Sequence, residues 1–537
     1  MSHIKNAPLS PAGFRIVDLF AGPGGLDVAA DVLGHQVTGI EWDAGACETR
    51  NKAGLDTFQG DVREFRAAFF PYAQVLTGGP PCQTFTVAGH GAGRRALDDV
   101  LKYIAQLHEA VRAENQEWKE IFRTWRRISG ELRRREREAK KLKDRKREVE
   151  DLRTAKRRAM RSRLLHLGHS TDVAKKILKE LKNPQNLEFQ DYELKGLLKE
   201  FSDLNDELTK LKDELEELGD ERTGLVLQPL WWVIERSKRP GSTPYEAIIL
   251  EQVPTVMRVW EEYAEVLATL GYKTRTQLMH TEAFGVPQTR RRAVLMARFD
   301  PTALANRLHP GHLTEVPESH MRYQPKAGQA ETLFSGTSEQ SDTGRPRDSW
   351  VSMGKALKRA KKIANRLKLD PEVNLRLDPD LNLPDRPDFT VISNYGTGGD
   401  PKMRGRRDHD APSATITGKV SRNRVIRKEN GEDLDRFTFA EVGVLQTFPV
   451  AYPWHGNDVP QQIGNAVPPR LALHVLRHVL EPELNDEEAQ DRMDQVTTAL
   501  ETWKPKKPVE ARESKEWKEH PLAGGFLLSL SPEESNF

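Results

Sequence analysis

Two cysteines in 537 residues, Cys47 and Cys82, are too few for a disulfide framework; they suit a reducing compartment and leave a thiol free for chemistry. No uninterrupted apolar run reaches the ~18 residues that suggest a membrane span. The opening residues, MSHIKNAPLSPAG, lack the apolar core of a secretory signal, so the sequence reads as cytoplasmic. An excess of one charge sign is missing too. With 82 Lys and Arg against 80 Asp and Glu, the net charge of +2 argues neither for nor against a polyanionic partner, and local charge has to decide. Hydrophobic residues make up only 37% of the chain and charged residues 30%, so some charged element stands outside the globular part. The length suits two or three compact units with insertions.

What is present begins with alternation. An apolar run at 14–20 ends in the glycines Gly22, Gly24 and Gly25, and a helix-compatible stretch follows. Strands near 37–41, into Gly60 and Asp61, and at 75–77, with a helix at 44–53, continue the pattern. It predicts an α/β fold with a doubly wound, mostly parallel sheet. Strands near 246–250, 274–280 and 293–298 and a helix near 255–270 complete that sheet. The catalytic domain is therefore assigned to 14–95 and 222–300, completed by 460–482. Residues 301–459 are polar and irregular and suit a smaller target-recognition domain, and 483–537 read as a charged tail, partly disordered.

Residues 96–221 differ in kind, being nearly free of Gly and Pro and dense in charge. Leu194, Leu197, Phe201, Leu204, Leu208, Leu211, Leu215 and Leu218 alternate spacings of three and four, as a coiled-coil seam does, and Trp118 to Leu142 continue similarly upstream. HLGHSTD, at 166–172, carries a glycine and a cap signal that reverse the chain. The segment reads as an inserted helical hairpin with arms of roughly 45 residues, each projecting about 70 Å at 1.5 Å per residue. Its first arm is basic and its second acidic, which favours antiparallel pairing.

Four motifs carry chemistry. DLFAGPGGL (18–26) puts glycines where backbone approaches a nucleotide-like ligand ahead of a helix N-terminus, although a plain tight turn also explains them. Glu41 ends the next strand, placed for ribose hydroxyls; Trp42 offers a face to adenine and Asp61 an acceptor for its amino group. GGPPCQTF (78–85) holds Cys82 in a proline-stiffened loop after a buried strand, the setting of a reactive rather than a structural thiol. LEQVP (250–254) ends a strand with Glu251, a general-acid candidate. QTRRR (288–292) precedes a strand, so some of its arginines are buried and need anionic partners.

The ordered set of these motifs, with EWD (41–43), FTFAEVGVLQTFP (437–449) and QIGNAVPP (462–469), resembles the cytosine-5 DNA methyltransferases. The resemblance covers the globular parts and leaves out the helical insertion, most of 301–426 and the tail. It implies that Phe20, Gly22, Gly24, Leu26, Glu41, Trp42, Asp61, Pro80, Asn465 and Val467 line a site for S-adenosylmethionine. It further implies that Cys82 is the nucleophile, that Glu251 protonates the cytosine ring nitrogen, and that Gln83 supports the catalytic loop. Arg290 and Arg292 would hold the active-site carboxylate, base and phosphate; no metal is implied. The sequence departs from the family pattern at Gln252 (usually Asn), Thr84 (usually Pro) and Ala440 (usually Arg), none of which removes a reacting group.

Double-stranded DNA is the implied substrate, with Arg404, Arg406, Arg407, Lys419, Arg422 and Arg424 suited to phosphate and base contacts. A restriction endonuclease, or a second copy joined through the insertion, is a further partner left open. An RNA cytosine methyltransferase is the nearest rival, but tRNA-modifying relatives carry Cys-Phe-Thr, whereas the cysteines of this chain precede Glu48 and Gln83. A catalytically silent scaffold is opposed by the intact Cys82 and Glu251.

Overall fold

The computed structural model describes residues 13–81, 91–113, 117–182, 187–218, 223–324, 347–369, 383–393 and 405–513. Its strands are β1 (Arg15–Leu19), β2 (Gln36–Glu41), β3 (Asp56–Gln59), β4 (Val75–Gly78), β5 (Ala247–Gln252), β6 (Tyr272–His280) and β7 (Arg291–Phe299). Four strands of a smaller sheet follow, β8 (Phe389–Ile392), β9 (Arg406–Asp408), β10 (Arg424–Arg427) and β11 (Asp433–Leu434), and then β12 (Arg512–Glu513). The large sheet runs β12-β3-β2-β1-β4-β5-β7-β6. It is parallel except for β7, which runs antiparallel to both of its neighbours. The chain leaves β1 toward β2 on one side and returns to β4 on the other, so the strand order reverses between β1 and β4. In open α/β sheets the crevice at such a reversal, beyond the strands' carboxyl ends, is where ligands bind.

Burial on both faces explains why β4 and β5 are continuous apolar runs instead of alternating ones. Helices Gly25–Val32 and Pro469–Leu480 cover one face, giving Val28, Ala29, Leu473 and Leu476 to a core shared with Ile249 and Met296. The small sheet and helix Met353–Leu367 enclose a second core around Leu357, Phe389, Val425 and Leu445.

The charge-rich stretch after Glu483 is more ordered than its composition suggests. Helix Asp486–Glu501 opens with a capping box at Asn485, and its Met493, Val496 and Leu500, spaced by three and four, enter the main core with Trp503. The Trp503 indole donates to Asp31 at 2.9 Å, and β12 adds to the sheet beside β3.

The described residues form two compact units, one within 1–82, 104–121 and 225–537, the other within 83–103 and 122–224. The second takes in most of the residues expected to form the hairpin, while 104–121 fall in the first. The hairpin's outgoing helix, Trp118–His166, has 49 residues; Gly168 turns at φ +87° and Ser170 caps a short helix, Thr171–Lys179. The return arm, Tyr192–Leu218, is shorter than expected at 27 residues, and Pro184, which cannot continue a helix, stands before it in sequence. Val149, Leu208 and Leu211 bury against one another in the seam, as do Met160, Leu164, Leu194 and Phe201 nearer the turn. Among the described residues no helix is long and apolar enough to cross a membrane.

Two buried histidines give the first unit an acid-sensitive fold. Burial lowers His35 to about 4, helped by the Arg492 charge, and lowers His320 to about 3. The unfolded chain takes up these protons near 6.5 while the folded one does not, so stability is lost as pH falls from 6.5 toward 4. A thermal midpoint that drops between pH 7 and 4.5, and drops less in His35→Gln, is expected; an equal drop in the variant would exclude His35 as a source.

Candidate active site

The site is built at the carboxyl ends of β1, β2, β4 and β5. After β1 the chain turns sharply: Phe20 adopts φ +60°, a left-handed conformation costing a non-glycine residue roughly 1–3 kcal/mol, and Gly22 follows at φ +55°. The Gly22 N–H donates to Glu41 Oε2 and the Asp43 N–H to Glu41 Oε1, each at 2.7 Å, so one carboxylate at the end of β2 fastens both turns. Burial pushes Glu41 above the usual carboxylate range, while these two N–H groups oppose the shift. Gly24 caps the helix on which Leu26 is buried, and a Cβ on Gly25 would lie 2.1 Å from the Val467 carbonyl oxygen, so only glycine permits this approach to QIGNAVPP.

The residues fit a nucleoside-type cofactor such as S-adenosylmethionine. A Cβ built on Gly22 would meet nothing within 4 Å, so the backbone there is open, and the Trp42 ring is 70% exposed beside Glu41. Each Glu41 oxygen retains a lone pair for a ribose hydroxyl. Asp61, by contrast, is occupied: it caps the turn at Val62–Glu64 and accepts from Arg63 Nε at 2.9 Å. Asn465 is exposed and its Oδ1 accepts from Gln461 at 2.7 Å.

Strands β4 and β5 lie side by side, Gly78 opposite Leu250, so GGPPC and LEQVP leave the sheet together. A Cβ on Gly79 would be 3.7 Å from Glu251 Oε2. Gln252 connects the two loops directly: its Nε2 donates to the Pro80 carbonyl and its Oε1 accepts from the Val253 N–H at 2.6 Å. The longer amide that departs from the family pattern thus bridges to the cysteine loop, while Ala440 packs against the smaller core. Cys82, Gln83 and Thr84 lie outside the described residues, as does Arg404.

The two arginines of QTRRR have different surroundings. Arg292 Nε lies 2.5 Å from Glu251 Oε1, and both side chains are 12% exposed. Arg290, 2% exposed, donates to the carbonyls of Ile416 at 3.0 Å and Gly464 at 2.9 Å. Burial and the neighbouring Arg292 charge lower its guanidinium well below its ordinary value. Gln288 and Gln446 extend this buried lattice. Gln288 Oε1 accepts from the Ile416 N–H at 2.8 Å, its Nε2 donates to Gln446, and Gln446 Nε2 reaches the Ala466 carbonyl at 2.9 Å. Three motifs distant in sequence are joined by amide and guanidinium donors.

Sequence reasoning missed a buried pair behind the cofactor turn. Arg50 grips Asp27 through two bonds of 2.6 and 2.9 Å, both side chains at most 1% exposed, and a Cβ on Gly39 would lie 2.0 Å from its Nη2. The available signal was that glycine in the middle of β2, since strand glycines mark close approach. Asp18, at the base of the turn, accepts from Thr77 at 2.7 Å and is pushed up to about 8 by burial and the Asp27 charge. Of the basic residues in the smaller sheet, Arg424 pairs with Asp433 at 2.8 Å and Arg407 lies over the Tyr323 ring. Arg406, Lys419 and Arg422 are exposed. No group of three or more His, Cys, Asp and Glu side chains able to hold a metal occurs among the described residues.

The chain is 26% identical over 227 residues to the type II methyltransferase M1.HphI of Haemophilus parahaemolyticus, covering 42% of this chain and 52% of that one. It is 34% identical over 94 residues to M.HhaI of the same organism, covering 17% and 28% of the two chains. To M.HpaII of Haemophilus parainfluenzae it is 39% identical over 83 residues, covering 15% and 23%. It thus spans about half or less of the length of these relatives. The family described as C-5 cytosine-specific DNA methylase matches residues 14–107 and 230–481, breaking where the helical insertion stands. With well over half its residues matched to that family, the chain belongs to the C-5 cytosine-specific DNA methylases.

Proposed function

We propose that the protein methylates carbon 5 of cytosine in duplex DNA, with S-adenosylmethionine as donor, Cys82 as nucleophile and Glu251 as acid. One observation carries this reading above the others: Gly78 and Leu250 are paired in neighbouring strands, and Gln252 holds Pro80, so the cysteine loop leaves the sheet beside the carboxylate.

Carbon 5 of cytosine is a weak nucleophile until a thiolate adds at carbon 6. Cys82 forms that bond while Glu251 gives its proton to the ring nitrogen, which leaves an enamine with electron density on carbon 5. Arg292, against Oε1, orients the carboxyl and leaves Oε2 toward the Gly79 side. When bound, S-adenosylmethionine supplies an electrophilic methyl group; Glu41 and Trp42 would hold its ribose and adenine, and the open backbone at Gly22 would receive it. Release of the carbon 5 proton to solvent, return of the ring-nitrogen proton to Glu251 and departure of Cys82 as the thiolate restore the aromatic ring. A stacked base is out of reach of this chemistry, so the cytosine is flipped from the duplex, at a cost of a few kcal/mol. Arg406, Lys419 and Arg422 are suited to hold the opened DNA.

The test is transfer of labelled methyl to duplex DNA and to tRNA by wild type and by Cys82→Ser. Label on DNA carbon 5 that disappears in the variant is the expected result. Label on tRNA alone would replace DNA by RNA as the substrate, and label on neither would leave a cofactor-binding scaffold.

A further inference from the structure

The outgoing helix of the insertion carries twenty Lys and Arg against eight Asp and Glu, and the return arm nine acids against four bases. Were the acidic arm present to neutralise the basic one, the cations would be paired off across the seam. Cations flanking the seam are. Arg145 meets Glu207 at 2.8 Å, Lys156 meets Glu200, and Arg163 meets Asp191 at 2.7 Å. Arg126, Arg134, Arg137, Lys140, Lys141 and Arg147 are exposed and form no ion pair with any described residue. The helical repeat of 3.6 places these six on the side away from the buried seam residues Ile128, Ala139 and Val149. They span about 32 Å at 1.5 Å per residue, close to one turn of B-form DNA at about 34 Å.

Holding so many like charges on one helix face is unfavourable without a counter-charge. A stiff rod of cations matched in length to a duplex turn has the dimensions and charge to follow a phosphate backbone, and Asp144, an exposed acid that the same repeat places among them, leaves the face strongly positive. We infer that this face of the insertion is a sequence-independent binding surface for the phosphate backbone of duplex DNA, separate from the residues that hold the target base. The inference rests on DNA being the substrate. The seam-side pairs then serve to hold the hairpin closed, so that the outer cations are presented on a rigid support.

The full-length protein and a variant with these six residues changed to Gln would be titrated with a labelled 60-bp duplex of arbitrary sequence over a range of salt. Loss of about tenfold or more in affinity near 0.1 M salt is expected, with the slope of log K against log salt shallower by about 3 or more, since each phosphate contact contributes roughly 0.9. Changing the exposed acids Asp203, Asp206, Asp213 and Glu217 to their amides should cause no loss, which guards against a general effect of altering the hairpin. An unchanged affinity and slope in the six-residue variant would overturn the inference, as would weakened binding of tRNA with duplex binding intact. Methyl transfer at saturating DNA reads the reaction separately. If wild type transfers no methyl to DNA, the proposed function fails; if transfer persists but the slope does not move, the arm alone is misassigned.

Discussion

Changing Glu251 to Gln is expected to reduce methyl transfer by about 10²–10⁴-fold, the usual contribution of a positioned general acid. The amide has nearly the same shape but cannot release a proton to the ring nitrogen, so Cys82 would have to add to an unactivated ring. Because Glu251 lies at the carboxyl end of β5 and the cofactor turn follows β1 and is fastened to the end of β2, affinity for S-adenosylmethionine should be retained, which calorimetric titration would check. Loss of turnover with cofactor binding intact identifies a residue of the chemical step. Turnover within a few-fold of wild type would remove Glu251 from the mechanism and leave its contact with Arg292 as an ion pair of the fold.

The largest effect on stability is expected from Arg50→Met. Asp27 would then be a carboxylate about 1% exposed with no guanidinium, and breaking a buried pair on one side costs about 3–5 kcal/mol. Arg50 also moderates the cluster of acids around the cofactor turn, since it lowers both Asp18 and Glu41 against the burial that raises them. Its removal should therefore lower the thermal midpoint and weaken cofactor binding together. Replacing both partners, Asp27→Leu with Arg50→Met, should recover much of the stability, because no charge is left buried. A single variant as stable as wild type would show that water or a neighbouring donor satisfies Asp27.

How far these features could be read from the chain depends on whether their signal is local. The alternation of strands and helices, the glycine turn and the heptad seam each lie within a few residues, and they predict a doubly wound, mostly parallel sheet, but not the insertion of an antiparallel β7 between β5 and β6. The partners of QTRRR do not. Nothing near Arg290 foretells that its guanidinium goes to the carbonyls of Ile416 and Gly464, over a hundred residues away, or that Gln288 and Gln446 are joined. Side-chain to backbone bonds of this kind leave no periodicity. The placement of helix Asp486–Glu501 was hidden for another reason: its three core residues are diluted by charges whose number suggests disorder, although their spacing favours a packed helix.

The two residues of β12 have a consequence out of proportion to their length. Strand β3 would otherwise end the large sheet with unpaired N–H and C=O groups along its outer side, an arrangement that invites edge-to-edge association between molecules. Arg512 and Glu513 cover Phe58 and Gln59, and the Arg512 guanidinium lies over the Phe58 ring at 4.1 Å while bonding Asp56. A chain ending just before Arg512 would keep every motif of the active site and the core residues of helix Asp486–Glu501, and yet expose a sticky sheet margin. The C-terminal segment thus acts as a hem on the fold, and aggregation rather than inactivity is the defect its removal should cause.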